Sequence, residues 1–182
     1  TELLIWIGLA TAVHGLIYAL LQNDFRRFLS YMLLSQLGIM MCGIGLGSAT
    51  AQQGVIAHAL ASIVYMAVLF MVAGNNVKDI QESAGGLSQS WMSWVSAIFG
   101  GAALAALPMT LGFVSKSLII DAAAEVNLTV WAALIGISIG TGVAVCGMLD
   151  FLWKIKQPFK KGGSGMLFMI RQGSLILPVA VI

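Results

Sequence analysis

The sequence predicts an all-α, polytopic transmembrane helix bundle of about five to six spans, one of them discontinuous. Three observations predict it. Hydrophobic residues make up 59% of the 182 residues and charged residues 9%, whereas an ordinary soluble domain carries about 25% charged residues. So few charges do not coat a globule in water, and lipid is the solvent that suits such a surface. The apolar residues gather into runs of about the 20 residues that a membrane helix needs. One of those runs is interrupted, in the stretch LPMTLGFVSK (Leu107–Lys116), by a proline, a glycine and a lysine.

The runs come in order along the chain. The first spans Leu3–Gln22 and stops at the polar NDFRR. The second spans Phe28–Ser48 and is rich in methionine and glycine, and the third spans about Gln53–Gly74. A polar segment follows, NNVKDIQESAGGLSQS, with two turn-like glycines. The fourth run begins near Trp91 and continues, interrupted, to about Ala124; the fifth spans roughly Leu128–Trp153. The basic stretch KIKQPFKKGGSG precedes a last run that begins at Met166. Glycine is frequent throughout, as in membrane helices that pack closely. Residues 1–182 read as a single transmembrane domain. With no initiator methionine, no signal peptide and an apolar run cut short at its end, the chain is expected to be part of a longer one.

Placing successive loops on alternate sides separates the charges. Arg26, Arg27, Lys78, Lys154, Lys156, Lys160 and Lys161 fall on one side, and Glu2, Asp121 and Glu125 lie near the other. Cytoplasmic loops gather Lys and Arg, so the basic loops are expected in the cytoplasm, with the protein multi-pass in the inner (plasma) membrane. The division holds only if Trp91–Ala124 crosses once, which favours one interrupted span over two. A net charge of +2 gives no reason to invoke nucleic acid. Cys42 and Cys146 lie in apolar runs without ligand-like spacing and read as small apolar filler rather than as a disulfide or metal ligands. Neither a cofactor nor a metal is expected.

Pro108 removes a backbone donor and clashes with the preceding turn, and Gly112 loosens the chain four residues later. Together they are expected to break the fourth helix near mid-membrane. The freed backbone groups must then be buried in protein or line a wet cavity, because they cannot face lipid. Lys116 starts the second half. An ammonium in hydrocarbon costs about 2.5–3.5 kcal/mol on insertion scales, so Lys116 is either the titratable group of a polar pocket or a lysine snorkelling to the interface. The neighbouring Pro108, Thr110 and Gly112 favour the pocket.

The third run carries a second polar line. His58, Ser62 and Met66 are spaced i, i+4, i+8 and share a face, with Tyr65 beside them. His58 either passes protons, since its ring can both give and accept one, or is a neutral ring bonded to a neighbouring helix. His14 reads as structural. Ser35 and Gln36 could bond across helices or hold water. Asp121 could end a proton exit but is more simply an interfacial carboxylate, as is Asp150.

These residues resemble a known family. QNDFRRFLSYMLLSQLG, IAHALASIVYMAVLFMVAG, GGLSQSW and LPMTLGFVSK follow one another as in the proton-conducting antiporter-like membrane subunits. Those are the large membrane subunits of complex I, of Mrp-type cation/proton antiporters (the D-type one above all) and of membrane-bound hydrogenases. The resemblance covers most of Leu3–Asp121, and the GFVSK element after a Leu-Pro is its most specific part. It implies that Lys116 is the broken-helix lysine of a chain of titratable groups across the membrane and that His58 is the first histidine of the companion helix. Family members often carry a second histidine and then a lysine on that helix, where this sequence has Ser62 and Met66. Met66 cannot hold a proton. Nothing in the sequence matches the family's first helix repeat, so the chain resembles its second, exit-side half.

The resemblance implies a membrane subunit of a proton, or cation/proton antiport, translocating complex. Protons pass through a hydrated path at Lys116, His58, Ser62, Tyr65 and Thr110, with the helix break at Pro108 and Gly112. Its implied partners are other membrane subunits, the lipid bilayer, protons and Na+. The alternative is a non-conducting structural subunit of a respiratory or hydrogenase-type complex, which Ser62 and Met66 favour. The sequence holds no nucleotide loop, metal cluster or nucleophile with a base. Catalysis by this chain alone is therefore not expected, and any redox step of an NADH:quinone oxidoreductase-like or hydrogenase-like complex belongs to its partners.

Overall fold

The structure, a computed structural model, describes residues 2–22, 24–82 and 91–156. All the regular structure among them is helical: α1 (Glu2–Leu20), α2 (Phe25–Leu46), α3 (Ala49–Glu82), α4 (Trp91–Leu104), α5 (Leu111–Val126) and α6 (Leu128–Lys156). Four helical stretches are long and apolar enough to cross a membrane, Glu2–Leu20, Phe25–Leu46, Ala49–Gly74 and Leu128–Asp150, and Val95–Leu104 is a shorter apolar helix. The fourth apolar run is the pair α4 and α5, separated by residues 105–110. Most of GGLSQSW, together with Lys160, Lys161 and the run from Met166, lies outside the described residues.

The surface is apolar and the interior carries the polar groups. Leu60 and Ile63 on α3 are 64% and 67% exposed, whereas His58 on the same helix is 0% exposed and Lys116 on α5 is 2% exposed. In water this would be inverted; in lipid it is the arrangement that leaves leucine at no disadvantage and hides the groups that need partners.

Local chemistry sets the helix ends. Gly47 takes φ 71°, a left-handed conformation, and its N–H donates to the Ile44 carbonyl at 3.2 Å, so α2 stops and the chain turns into α3. The α3 helix continues past the apolar run through the polar NNVKDIQE to Glu82, because those residues leave the apolar pattern without breaking the backbone ladder. Asn127 does two jobs: its N–H donates to the Ala123 carbonyl to close α5, and its side-chain oxygen accepts from the Thr129 N–H at 2.9 Å to open α6.

The helices α1 and α2 lie along one another, and small residues allow it. A Cβ on Gly15 would sit 2.6 Å from the Ser35 backbone nitrogen, and one on Gly38 would meet the Ala12 backbone. The Ser35 hydroxyl donates across this interface to the Ala12 carbonyl at 2.9 Å. The close approach predicts that Gly38→Ala costs about 1–3 kcal/mol of stability in bilayers or detergent, the usual penalty of overpacking. Gly136→Ala in α6, whose Cβ meets nothing within 4 Å, should leave stability unchanged or slightly raised. Equal unfolding midpoints for Gly38→Ala and the native chain would contradict the packing argument.

Candidate functional site

The site begins at the broken helix. In an uninterrupted helix the Leu104 carbonyl would accept from the N–H of residue 108, four positions on. Residue 108 is proline and has no N–H. The helix ends at Leu104, and two non-glycine residues in the connection take positive φ, Ala106 at 57° and Met109 at 72°. The Lys116 ammonium nitrogen reaches back and donates to the Leu104 carbonyl at 3.0 Å. It therefore holds the acceptor that the proline leaves without its helical donor. The Lys116 Nζ also lies 3.5 Å from the Thr141 Oγ1 on α6, and that hydroxyl donates to the Ser138 carbonyl at 2.7 Å.

The second half-helix is held close to the first. Gly112 packs against the Ala103 carbonyl so tightly that a Cβ would overlap it. Thr110 caps α5: its hydroxyl oxygen accepts from the Phe113 N–H at 3.3 Å, and its O–H donates to the Leu107 carbonyl at 2.7 Å. The break differs from the sequence expectation in one respect. Ala105 and Ala106 line a groove beside Lys116, but Leu107, Pro108 and Met109 face outward from this chain, Met109 completely. The left-handed turns at Ala106 and Met109 carry the connection away from the core.

That groove, of about 270 Å³, opens to the surface between α5 and α6 and is lined by Lys116, Ser117, Ser138, Gly142, Phe113 and Ile139, among others. At about 30 Å³ per water in the liquid, it has room for several. Lys116 thus has a hydrogen-bonded inner side and a side that lines an open groove whose walls are mostly apolar, with Ser117 and Ser138 as its other polar side chains.

A second polar string crosses α2, α3 and α5. The His58 Nδ1 lies 3.0 Å from the Ser115 Oγ, and its Nε2 lies 3.1 Å from the Gln36 Oε1. Tyr65 donates from its hydroxyl to the same Gln36 oxygen at 3.5 Å. The Ser115 hydroxyl lies 3.1 Å from the Gly112 carbonyl, to which it can donate. Gln36 Nε2 is buried with no partner among the described atoms. Ser115 and Lys116 are consecutive, so the histidine string and the lysine pocket meet on one turn of α5. Among residues with described side chains every carboxylate is exposed, so no anion is buried beside Lys116 or His58.

The expected residues therefore sort by position. Lys116, His58, Ser62 and Tyr65 are all buried. The Ser62 hydroxyl donates to the Ala59 carbonyl of its own helix at 2.8 Å, and Met66 is buried beside it. Tyr65 reaches Gln36 rather than Lys116. His14 is exposed and its ring centroid lies 4.3 Å from that of Tyr18. Asp121 and Glu125 are exposed. Cys42 is buried, Cys146 exposed, and both are free thiols. Sequence reasoning named Gln36 as a residue that bonds across helices or holds water, and it missed Ser115, Thr141 and the Leu104 carbonyl. The carbonyl could have been found by counting back four from Pro108. Thr141 lies 25 residues beyond Lys116 and carries no local signal.

Residues 1–142 match the family described as NADH:quinone oxidoreductase/Mrp antiporter, TM. The Na(+)/H(+) antiporter D subunit of Alkalihalophilus pseudofirmus is 31% identical over 188 residues, an overlap of 98% of this chain and 36% of that protein. The NADH-ubiquinone oxidoreductase chain 5 of Canis lupus is 35% identical over 136 residues, 71% of this chain and 22% of the relative. Among solved structures, a chain of the Mrp complex from Dietzia sp. superposes with a TM-score of 0.66 at 30% identity, over 81% of this chain and 18% of that one. A chain of respiratory complex I from Thermus thermophilus with bound NADH gives a TM-score of 0.73 over 90% of this chain and 35% of that one; at 24% identity it speaks for the fold alone. The chain spans between about a fifth and about a third of the length of these proteins. A family match that runs from the first helix through the broken helix and into α6, together with the sequence identity to both branches, makes this chain a multi-pass membrane member of the NADH:quinone oxidoreductase/Mrp antiporter family.

Proposed function

We propose that this chain carries protons within a cation/proton-translocating membrane complex, with Lys116 as the group that holds and releases them. The observation that carries the reading is the placement of Lys116. It is 2% exposed, is bonded to the Leu104 carbonyl on one side, and lines a groove that opens to the surface on the other. A structural lysine at the membrane edge would send its amine to water; this one is turned inward. Names among the relatives, a Na(+)/H(+) antiporter subunit and an NADH-ubiquinone oxidoreductase chain, favour transport.

In this reading the groove supplies water to one face of Lys116, and the Ser115, His58, Gln36 and Tyr65 string supplies polar groups on the inner side. With no carboxylate buried nearby, the charge on Lys116 is poorly compensated within the described residues. In a medium of low dielectric its proton affinity then responds to charges that move elsewhere in a complex. Neighbouring membrane subunits are expected against the outward-facing Leu107–Met109 connection, since irregular backbone does not face lipid. The cytoplasmic side is assigned in this reading to the loops with Arg26, Arg27, Lys78 and Lys154–Lys161, in the inner (plasma) membrane of the cell.

One observation favours a second reading, a non-conducting scaffold subunit. Ser62 is bonded to its own backbone and Met66 fills the next turn, so beyond His58 neither of those two positions on that face offers a titratable group. Transport separates the two readings. Lys116→Met in the assembled complex, reconstituted in vesicles with a pH-sensitive dye, is expected to reduce proton movement to background while the complex still assembles; undiminished transport would discard the proposal. Gly142→Leu is expected to fill the groove and remove most of the transport without unfolding the chain, because a Cβ at Gly142 meets nothing within 4 Å. Full transport in that variant would show that water does not reach Lys116 by this groove.

A further inference from the structure

The hydrogen bonds around His58 pose a question of donors and acceptors. The Gln36 Oε1 can only accept, and it faces Nε2 at 3.1 Å. The Tyr65 O–H, buried at 4% exposure, needs an acceptor, and the same oxygen supplies it at 3.5 Å. With the Gln36 oxygen toward the ring the phenol hydrogen has an acceptor, while the Gln36 amide nitrogen is left without a partner among the described atoms; the turned amide would pair that nitrogen instead. In the orientation the structure has, the His58 Nε2 carries a hydrogen and donates to that oxygen, and this tautomer is part of what the experiment below tests. Whether Nδ1 carries one is decided by Ser115, whose hydroxyl has two acceptors in reach: Nδ1 of His58 at 3.0 Å and the Gly112 carbonyl at 3.1 Å.

We propose that Ser115 is a hydroxyl rotor that lets His58 hold its proton in either charge state without an unpaired polar atom on the ring. When the ring is neutral, Nε2–H donates to Gln36 and the Ser115 O–H donates to the bare Nδ1. When a proton is added at Nδ1, the new N–H donates to the Ser115 oxygen, and the serine hydrogen swings to the Gly112 carbonyl. Only the added proton changes hands; the serine keeps its own hydrogen and rotates about one bond. Ser115 is thus a positioning residue. It acts through His58, one residue before Lys116 on α5.

The surroundings make the rotor matter. His58 and Ser115 are both 0% exposed, so bulk water does not stand in for a missing partner. The titratable groups in the same buried region are Tyr65 on α3 and Lys116 on α5; Gln36, from α2, is not titratable, and every carboxylate whose side chain is described is exposed. A hydrogen bond to a charged group carries about 1.5–3 kcal/mol, so loss of the serine oxygen should be felt mainly by the protonated ring. This inference rests on the proton-transport reading only for its consequence in transport; the tautomer it requires stands apart.

The test is nitrogen-15 solid-state NMR of the full chain in lipid bilayers, labelled at histidine, with His14→Gln to leave His58 as the single signal. The expected result is a neutral ring protonated at Nε2, with Nδ1 showing the shift of a bare nitrogen that accepts a hydrogen bond. Ser115→Ala should move the Nδ1 signal to that of a nitrogen with no donor, and Ser115→Thr should restore it. In vesicles, Ser115→Ala should slow proton transport by about tenfold or more, with recovery in Ser115→Thr. A native ring protonated at Nδ1, or an Nδ1 signal indifferent to Ser115→Ala, would overturn the rotor, as would transport unaffected by that variant. If the native chain moves no protons, the transport reading fails on its own and the tautomer decides for Ser115.

Discussion

One hydrogen bond organises the described part of this molecule, from the Lys116 Nζ to the Leu104 carbonyl at 3.0 Å. It exists because two elementary facts coincide. A proline at position 108 cannot supply the N–H that the Leu104 carbonyl would take in a continuous helix, and a long, flexible cationic side chain twelve residues away can. Lys116 repairs the backbone defect that Pro108 makes. In exchange the defect gives Lys116 a strong acceptor inside a bundle that otherwise offers few. The two half-helices need each other in this arrangement, and Gly112, packed on the Ala103 carbonyl, keeps them close enough for the bond to form.

The rest of the bundle supports that exchange. Its outer face is leucine, isoleucine, valine and phenylalanine, and its polar groups point inward, where Ser35 meets the Ala12 carbonyl and His58 meets Gln36 and Ser115. Lipid gives apolar side chains no reason to seek the core, so close packing through glycine and internal hydrogen bonding have to hold the helices together. The same polar groups that bind helix to helix form a string of donors and acceptors ending next to Lys116. In the proposed function, structure and proton chemistry would use one set of atoms in this bundle, and a change at Gln36 or Ser115 would act on both.

Much of this was legible in the sequence, in proportion to how local the signal is. Apolar runs place the spans because partition into lipid depends on composition over about twenty residues. They place the helix ends less well: α2 begins at Phe25 rather than Phe28, and α3 runs to Glu82, because hydropathy marks where the chain leaves lipid and not where the backbone ladder stops. The break was legible from Pro108, whereas Gly112, expected to loosen the chain, lies inside α5 and serves its close packing on Ala103. The outward turn of Leu107–Met109 was not legible, since it depends on left-handed backbone at Ala106 and Met109, two residues that carry no such preference. Nor were the pairings of His58 with Ser115 and of Lys116 with Thr141, which are set by the rotation of one helix against another. A single sequence holds no record of that register.

The most direct measurement addresses the Leu104 carbonyl itself. A carbon-13, oxygen-18 label at that one carbonyl, read by infrared spectroscopy of the protein in bilayers, reports whether it accepts a strong hydrogen bond. The expected result is a low-frequency band that moves up when Lys116 is replaced by methionine and stays in place when Lys78 is. A band indifferent to Lys116 would contradict the central claim, because the lysine would then not be what holds the broken helix together.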